Sequence, residues 1–120
     1  MEETSPTEML NESFGNYFTI FDRWAQLQPD AIALRDAGGE LSWAQMCDRV
    51  ERIAAQLVAS GLERGQAVAI LGTSTIPYAL VFLAAIKAGG VAAPLTTSAS
   101  PDQLAAMVAD SGARHLFIDR

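Results

Sequence analysis

Hydrophobic positions along the first half of the chain recur at helical spacing. From Phe18 to Leu27 they repeat every three or four residues, which predicts a short helix that ends before Pro29. A longer helix is predicted from Trp43 to Ser60, where one apolar stripe faces away from the charged residues. Ser42 is placed to cap its start, and Gly61 follows its end. The stripe consists of Trp43, Met46, Cys47, Val50, Ile53, Ala54, Leu57 and Val58.

Two short extended segments lie between these helices. They run from Ala31 to Arg35 and from Glu40 to Ser42, and the stretch Asp36–Gly39 joins them. Its two glycines can supply the positive φ that a tight hairpin loop requires. The pattern therefore predicts a small antiparallel hairpin.

The second half of the chain alternates short apolar runs with helical segments. Strands separated by single helices of this length run parallel, with right-handed crossovers. The predicted fold class is therefore α/β: the N-terminal part of a doubly wound, mostly parallel sheet with flanking helices, preceded by the hairpin. The nearly all-apolar helix before the glycines should be buried on every side. The predicted order is strand Ala67–Leu71, helix from about Thr75 to Ala88, strand Val91–Ala93, helix Pro101–Asp110 and strand Arg114–Ile118.

Composition narrows the classes of function. The chain has 120 residues, half of them hydrophobic, and 8 basic against 14 acidic residues give a net charge of -6, which disfavours nucleic acid and anionic membranes as partners. Residues 1–16 contain four glutamates and no basic residue, so we expect a disordered acidic tail. A single cysteine and the lack of a secretory signal favour a cytoplasmic location. The longest apolar stretch is too short to span a membrane.

The loop Gly72–Thr75 is a candidate anion site. It lies between a predicted strand and a predicted helix, where backbone N–H groups and the helix dipole can hold a phosphate. It lacks the second glycine and the lysine of a P-loop, however. Hydroxyl side chains at this place also cap helices, and the capping role is the expected one.

Other patterns that often carry chemistry have structural explanations. The pairs Gly38–Gly39 and Gly89–Gly90 lack the spacing of a dinucleotide-binding fingerprint and are expected at a turn and a helix end. The carboxylates of Asp48 and Glu51 alternate with arginines on the solvated face of a helix.

Three single residues carry groups that often take part in chemistry. His115 has no accompanying catalytic or ligand motif and is expected to be a partly buried strand residue. Cys47 lies on the apolar stripe and should be an inert, packed thiol. Lys87 should favour the negative end of its helix dipole and reach the last carbonyl groups. We predict no catalytic, cofactor-binding or metal-binding residue in this stretch.

Two motifs in this order resemble the opening of one enzyme family. The first motif is Leu41-Ser42-Trp43-Ala44-Gln45-Met46, which resembles a signature of leucine, serine or threonine, an aromatic residue, any two residues and leucine. The second is Lys87-Ala88-Gly89-Gly90-Val91-Ala92-Ala93-Pro94, which resembles a signature that begins with lysine-alanine-glycine and ends, after variable residues, with proline. The family is that of the AMP-forming acyl-CoA synthetases, within the adenylate-forming superfamily. The chain departs from the family's pattern at three positions. Met46 stands where the family usually has leucine, and Ala92 stands where it prefers a bulkier residue. Gln66 stands where the family usually has aspartate, in a turn that lies between the two motifs.

The resemblance implies that residues 17–120 are the N-terminal portion of an adenylate-forming domain, which is incomplete here. The parent enzyme would use ATP and Mg²⁺ to convert a carboxylic acid into acyl-AMP, and then transfer the acyl group to coenzyme A. In that family the nucleotide loop and the catalytic lysine lie further along the chain, and the sheet is continued by more strands. The expected partners are therefore the rest of the ligase chain and a small carboxylic acid, and this stretch alone should bind no cofactor.

Two alternatives stay open at the level of sequence. The chain could be a free-standing α/β binding module, with a ligand near Gly72–Thr75 and near the hydroxyl residues Thr96, Thr97, Ser98 and Ser100. It could also be a truncated, non-catalytic paralogue. The acid, and the choice between coenzyme A and a carrier-protein thiol as acceptor, are not determined by these residues.

Overall fold

The computed structural model describes residues 17–119, so the predicted acidic tail lies outside the described residues. The fold is α/β, as the sequence predicts, with a two-stranded antiparallel sheet and a three-stranded parallel sheet. No helix in the described range is both long and apolar enough to cross a bilayer. The elements are α1 (Tyr17–Leu27), β1 (Ile32–Asp36), β2 (Gly39–Ser42), α2 (Trp43–Ala59), β3 (Ala67–Leu71), α3 (Ile76–Lys87), β4 (Val91–Leu95), α4 (Pro101–Ser111) and β5 (His115–Ile118).

The hairpin β1–β2 forms as predicted, although Gly38 does not take the positive φ that was expected of it. Asp36 pairs with Gly39, and the backbone N–H of Gly38 donates a 2.8 Å hydrogen bond to Oδ1 of Asp36. This bond closes the two-residue turn, a common use of aspartate in loops. The hairpin then leads directly into α2, whose capping box is formed by Ser42 and Gln45.

The parallel sheet has the strand order β4-β3-β5, so β3 lies in the middle. Val68, Ala69 and Ile70 of β3 are at most 1% exposed, because helices or strands surround them on every side. Strand β4 continues two residues beyond its predicted end, in register with β3 as far as the pair Leu71–Leu95. The extension includes Pro94, which an edge strand tolerates because only one side of it forms a ladder.

Helix α3 packs between the sheet and α2. Its Val81 and Ala85 belong to the core against β3, while Leu80 and Ala84 belong to the core against α2. Ile86 is 39% exposed, so the expectation that this helix is buried on every side is wrong. Two sides of the helix are covered and the third faces solvent near its end.

Helix α1 is attached to α2 mainly through aromatic rings. The rings of Trp24 and Trp43 stack at 6.2 Å between centroids, and Phe21 lies 5.9 Å from Trp43. Phe18 contacts Phe21 edge to face at 5.8 Å. Helix α4 lies on the opposite side of the sheet from α3, where it lines an apolar cleft together with residues of all three strands.

Candidate functional site

The carboxyl ends of β3, β4 and β5 lie at one edge of the parallel sheet, where open α/β sheets usually bind their ligands. Three segments follow these ends: the loop Gly72–Thr75, the loop Thr96–Ser100 and Asp119. The end of the hairpin also reaches this edge, because Asp36 bonds to the first residue of α3. This edge is therefore the candidate site to test.

The backbone N–H groups at the start of α3 are all bonded within the protein, two of them to side chains. Oδ2 of Asp36 accepts a 2.8 Å hydrogen bond from the N–H of Ile76, and Oγ1 of Thr75 accepts one of 3.3 Å from Tyr78. The residue between them, Pro77, has no N–H. The N–H of Ala79 already bonds to the carbonyl of Thr75 at 3.1 Å. Within residues 76–79, which the structure describes in full, no backbone donor is left for a ligand.

Asp119 joins the end of β5 to the same helix start. Its carboxylate accepts a hydrogen bond from Oγ1 of Thr75, and its N–H donates one of 2.9 Å to the carbonyl of Leu71. A Cβ added to Gly72 would lie 2.7 Å from Cβ of Asp119, so only glycine allows this close approach. The two strand ends are thereby held together at the cap of α3.

These contacts decide between the two interpretations of the loop. The capping role is confirmed at Thr75, whereas Thr73 and Ser74 are exposed. A phosphate at the start of α3 would meet N–H groups that are already bonded, and it would be repelled by the carboxylates of Asp36 and Asp119. The helix N-terminus is thus closed to anions.

The helix start also affects the ionisation of Asp36. The hydrogen bond from the Ile76 N–H, followed by that from Gly38, holds the pKa of Asp36 below its ordinary value of 3.8. Both bonds favour the ionised carboxylate, which is therefore the form that caps the helix at neutral pH. The partial positive charge at the helix N-terminus favours the same form.

The hydroxyl residues after β4 bond mainly to one another and to α4. Oγ of Ser98 lies 2.8 Å from Oγ1 of Thr96, which also accepts a 3.3 Å hydrogen bond from the Ser98 N–H. Ser100 and Gln103 form the capping box of α4. Thr96, Ser98 and Ser100 are thus used in local structure, which weakens the case for the binding-module alternative at this loop.

The glycine pair after α3 ends the helix, as predicted. The Gly90 N–H donates a 2.9 Å hydrogen bond to the carbonyl of Ala85, and the Gly89 N–H donates one of 3.0 Å to the carbonyl of Ile86. Gly89 has φ of +89°, so this is the common left-handed helix ending. A Cβ on Gly90 would lie 2.9 Å from the carbonyl oxygen of Gln66, which explains the second glycine.

His115 and Cys47 are both placed as the sequence suggests. His115 begins β5 half-buried, and its Nδ1 is buried without a hydrogen-bond partner in the described part of the chain. The thiol of Cys47 donates a 3.6 Å hydrogen bond to the carbonyl of Phe21. Burial, and then the nearby charge of Asp22, raise the pKa of Cys47, so the thiol is protonated and unreactive at neutral pH.

Lys87 lies in the last turn of α3, as expected, and its ammonium group contacts side chains of two other helices. It lies 4.0 Å from a carboxylate oxygen of Glu51 and 5.5 Å from the centre of the Phe18 ring. Lys87 therefore links α3 to α2 and α1. Asp48 is exposed and pairs with Arg52 at 3.1 Å, the surface pattern expected.

One cavity was missed by sequence analysis. An open cleft of about 650 Å³ lies between α4 and the sheet. Leu116 and Ile118 of β5 line it and are 50% and 52% exposed, because α4 covers β3 and β4 more than β5. The sequence carries little signal for this cleft, because Leu116, Phe117 and Ile118 are all apolar and do not show which face of β5 is covered. The lining is Leu71, Leu95, Pro101, Leu104, Ala105, Val108, Ala109, Gly112, Ala113, Leu116 and Ile118.

The described lining of this cleft carries no charged or nucleophilic side chain, so it offers no chemistry of its own. Among residues 17–119, no group of three or more histidine, cysteine, aspartate or glutamate side chains is arranged to hold a metal ion. The geometry thus describes a scaffold in which the carboxylates of Asp36 and Asp119 occupy the start of α3 at the ligand edge.

Comparison with known proteins identifies the scaffold. Residues 21–120 match the family of AMP-binding enzymes. The chain belongs to this family. One of the plipastatin synthase proteins of Bacillus subtilis is 32% identical over 115 residues, and phenyloxazoline synthase MbtB of Mycobacterium tuberculosis is 44% identical over 75 residues. These matches cover 96% and 62% of the chain but only 4% and 5% of the two relatives.

Solved structures of AMP-binding enzymes have the same fold. The N-terminal subdomain of NpsA from Klebsiella oxytoca matches with a TM-score of 0.73 and 27% identity, over 84% of this chain and 26% of that one. The N-terminal domain of FACL13 from Mycobacterium tuberculosis matches with a TM-score of 0.77 and 25% identity, over 83% and 26%. The sequence-based assignment to the N-terminal segment of an adenylate-forming enzyme is confirmed.

Proposed function

We propose that the protein containing this segment activates a carboxylic acid with ATP, giving acyl-AMP and pyrophosphate, and then passes the acyl group to a thiol. The observation that carries the proposal is the match of residues 21–120 to the AMP-binding enzymes. The matched solved chains are about three times as long as this one, since 84% and 83% of this chain correspond to 26% of each of them. Residues 17–120 would then be the opening portion of the adenylate-forming domain.

The role of these residues in that enzyme is structural. Strand β3 and helix α3 form a core in which Ala69, Ile70, Ala84 and Ala85 are fully buried. The described residues do not fit a nucleotide phosphate or Mg²⁺, because the α3 amides are already bonded and no ligand cluster is present among them. ATP and Mg²⁺ would be held by other parts of the enzyme, and this segment would supply no catalytic group.

Coenzyme A is the first candidate acceptor, because the two motifs resemble those of acyl-CoA synthetases; a solved Mycobacterium tuberculosis fatty acyl CoA synthetase supports it, with a TM-score of 0.76 and 25% identity. A carrier-protein thiol is the second candidate. It is favoured by the peptide synthase relatives, which include a dimodular nonribosomal peptide synthase of Bacillus subtilis with 34% identity over 91 residues. A cytoplasmic location is part of the proposal.

The first test is pyrophosphate exchange by the whole protein that contains this segment. Labelled pyrophosphate would be incubated with ATP and, in turn, fatty, aryl, short-chain and amino acids. We expect exchange that depends on one class of acid, because acyl-AMP formation is reversible. Absence of exchange with every class, by a protein that is folded, would overturn the adenylation proposal.

The second test separates the two acceptors. After the acid is known, the enzyme would receive either coenzyme A or a carrier domain bearing a phosphopantetheine thiol, and mass spectrometry would detect the thioester. Acylation of coenzyme A alone supports the acid–CoA ligase, the first candidate. Acylation of the carrier alone supports the peptide synthase candidate and contradicts the first.

The scaffold role is tested on the 120-residue chain itself. Isothermal titration with ATP and Mg²⁺ should show no saturable binding, because the start of α3 is already capped. Saturable binding that is lost in the double variant Thr73→Ala/Ser74→Ala would contradict the scaffold role and support the binding-module alternative. The truncated paralogue would give neither exchange nor ATP binding.

A further inference from the structure

We draw no further inference here: the strongest candidate, the open apolar cleft between α4 and the outer strand β5, lies on the part of the sheet that adenylate-forming enzymes continue with further strands, so a covering segment there would restate an established property of that family.

Discussion

The exposed face of β5 predicts that the 120-residue chain associates with itself when it is produced alone. Leu116 and Ile118 project into the apolar cleft and are each about half exposed. Exposed apolar patches of this kind beside an unpaired strand edge favour association. The double variant Leu116→Thr/Ile118→Thr should therefore be much less prone to associate. Threonine keeps the preference for strand structure while removing most of the apolar surface.

The magnitude follows from the exposed fractions. Complete burial of a leucine or isoleucine side chain contributes roughly 2 kcal/mol, so burying the exposed half of each contributes about 1 kcal/mol. Two residues on each of two chains give about 4 kcal/mol for a dimer that covers both faces. Since about 1.4 kcal/mol corresponds to a tenfold change, the double variant should weaken association by up to about a thousandfold.

Sedimentation velocity over a wide range of concentrations is the appropriate assay, with circular dichroism to verify that each variant keeps its secondary structure. A matched control is Ile32→Thr/Val58→Thr, because these side chains are 43% and 55% exposed and lie outside the cleft. The control should associate like the original chain. The reasoning is refuted if the original chain is a monomer with one sharp cooperative melting transition, or if the control dissociates as much as the double variant.

Three further predictions concern residues whose contacts are well defined. Gly90→Ala should destabilise the whole protein by about 1–3 kcal/mol in denaturant unfolding, since its Cβ would press on fixed backbone oxygens. Gly38→Ala, whose Cβ would meet its nearest neighbour at 3.5 Å, should be close to neutral, and equal effects would contradict the steric argument. Because the folded-state pKa of Asp36 is lowered, its ionised form contributes stability at neutral pH that is lost as the pH falls through that pKa, below 3.8. The Asp36→Asn variant should therefore be less stable than the original protein at neutral pH, with the difference narrowing in acid; a difference independent of pH would contradict the cap. The Cys47 thiol should react with a disulfide reagent far more slowly in the folded protein than in denaturant, and its rate should rise only in alkali. Equal rates in the folded and denatured protein would show that α1 does not protect it.

The starts and ends of the helices were largely predictable, because the residues that determine them lie within a few positions of one another in the sequence. Ser42 and Ser100 each lie three residues before a glutamine, and both form the predicted helix starts. Gly89 ends α3 as its position suggests, because only a residue without Cβ takes the left-handed conformation at little cost. The alternation of strands and helices was sufficient to predict a parallel sheet.

The closed helix N-terminus was not predictable in the same way. Thr75 was a visible capping candidate, but its partner Asp119 is 44 residues away along the chain, and the partner of Ile76, Asp36, is 40 residues away. Spacing within one segment carries no information about such contacts. Strand β4 was predicted to end two residues too early for a related reason. Pro94 suggests a break in the strand, and proline is tolerated there only because β4 lies at the edge of the sheet.

The strand order β4-β3-β5 also has a consequence for synthesis on the ribosome. The central strand β3 is made before either of its neighbours, so both of its edges are unpaired when it leaves the exit tunnel. One edge is filled when β4 follows, but the other waits until His115–Ile118 have been translated. During that interval the all-apolar strand β3 keeps an edge open to non-native pairing with other extended hydrophobic chain. The pace of translation between β3 and β5 therefore bears on the yield of folded enzyme.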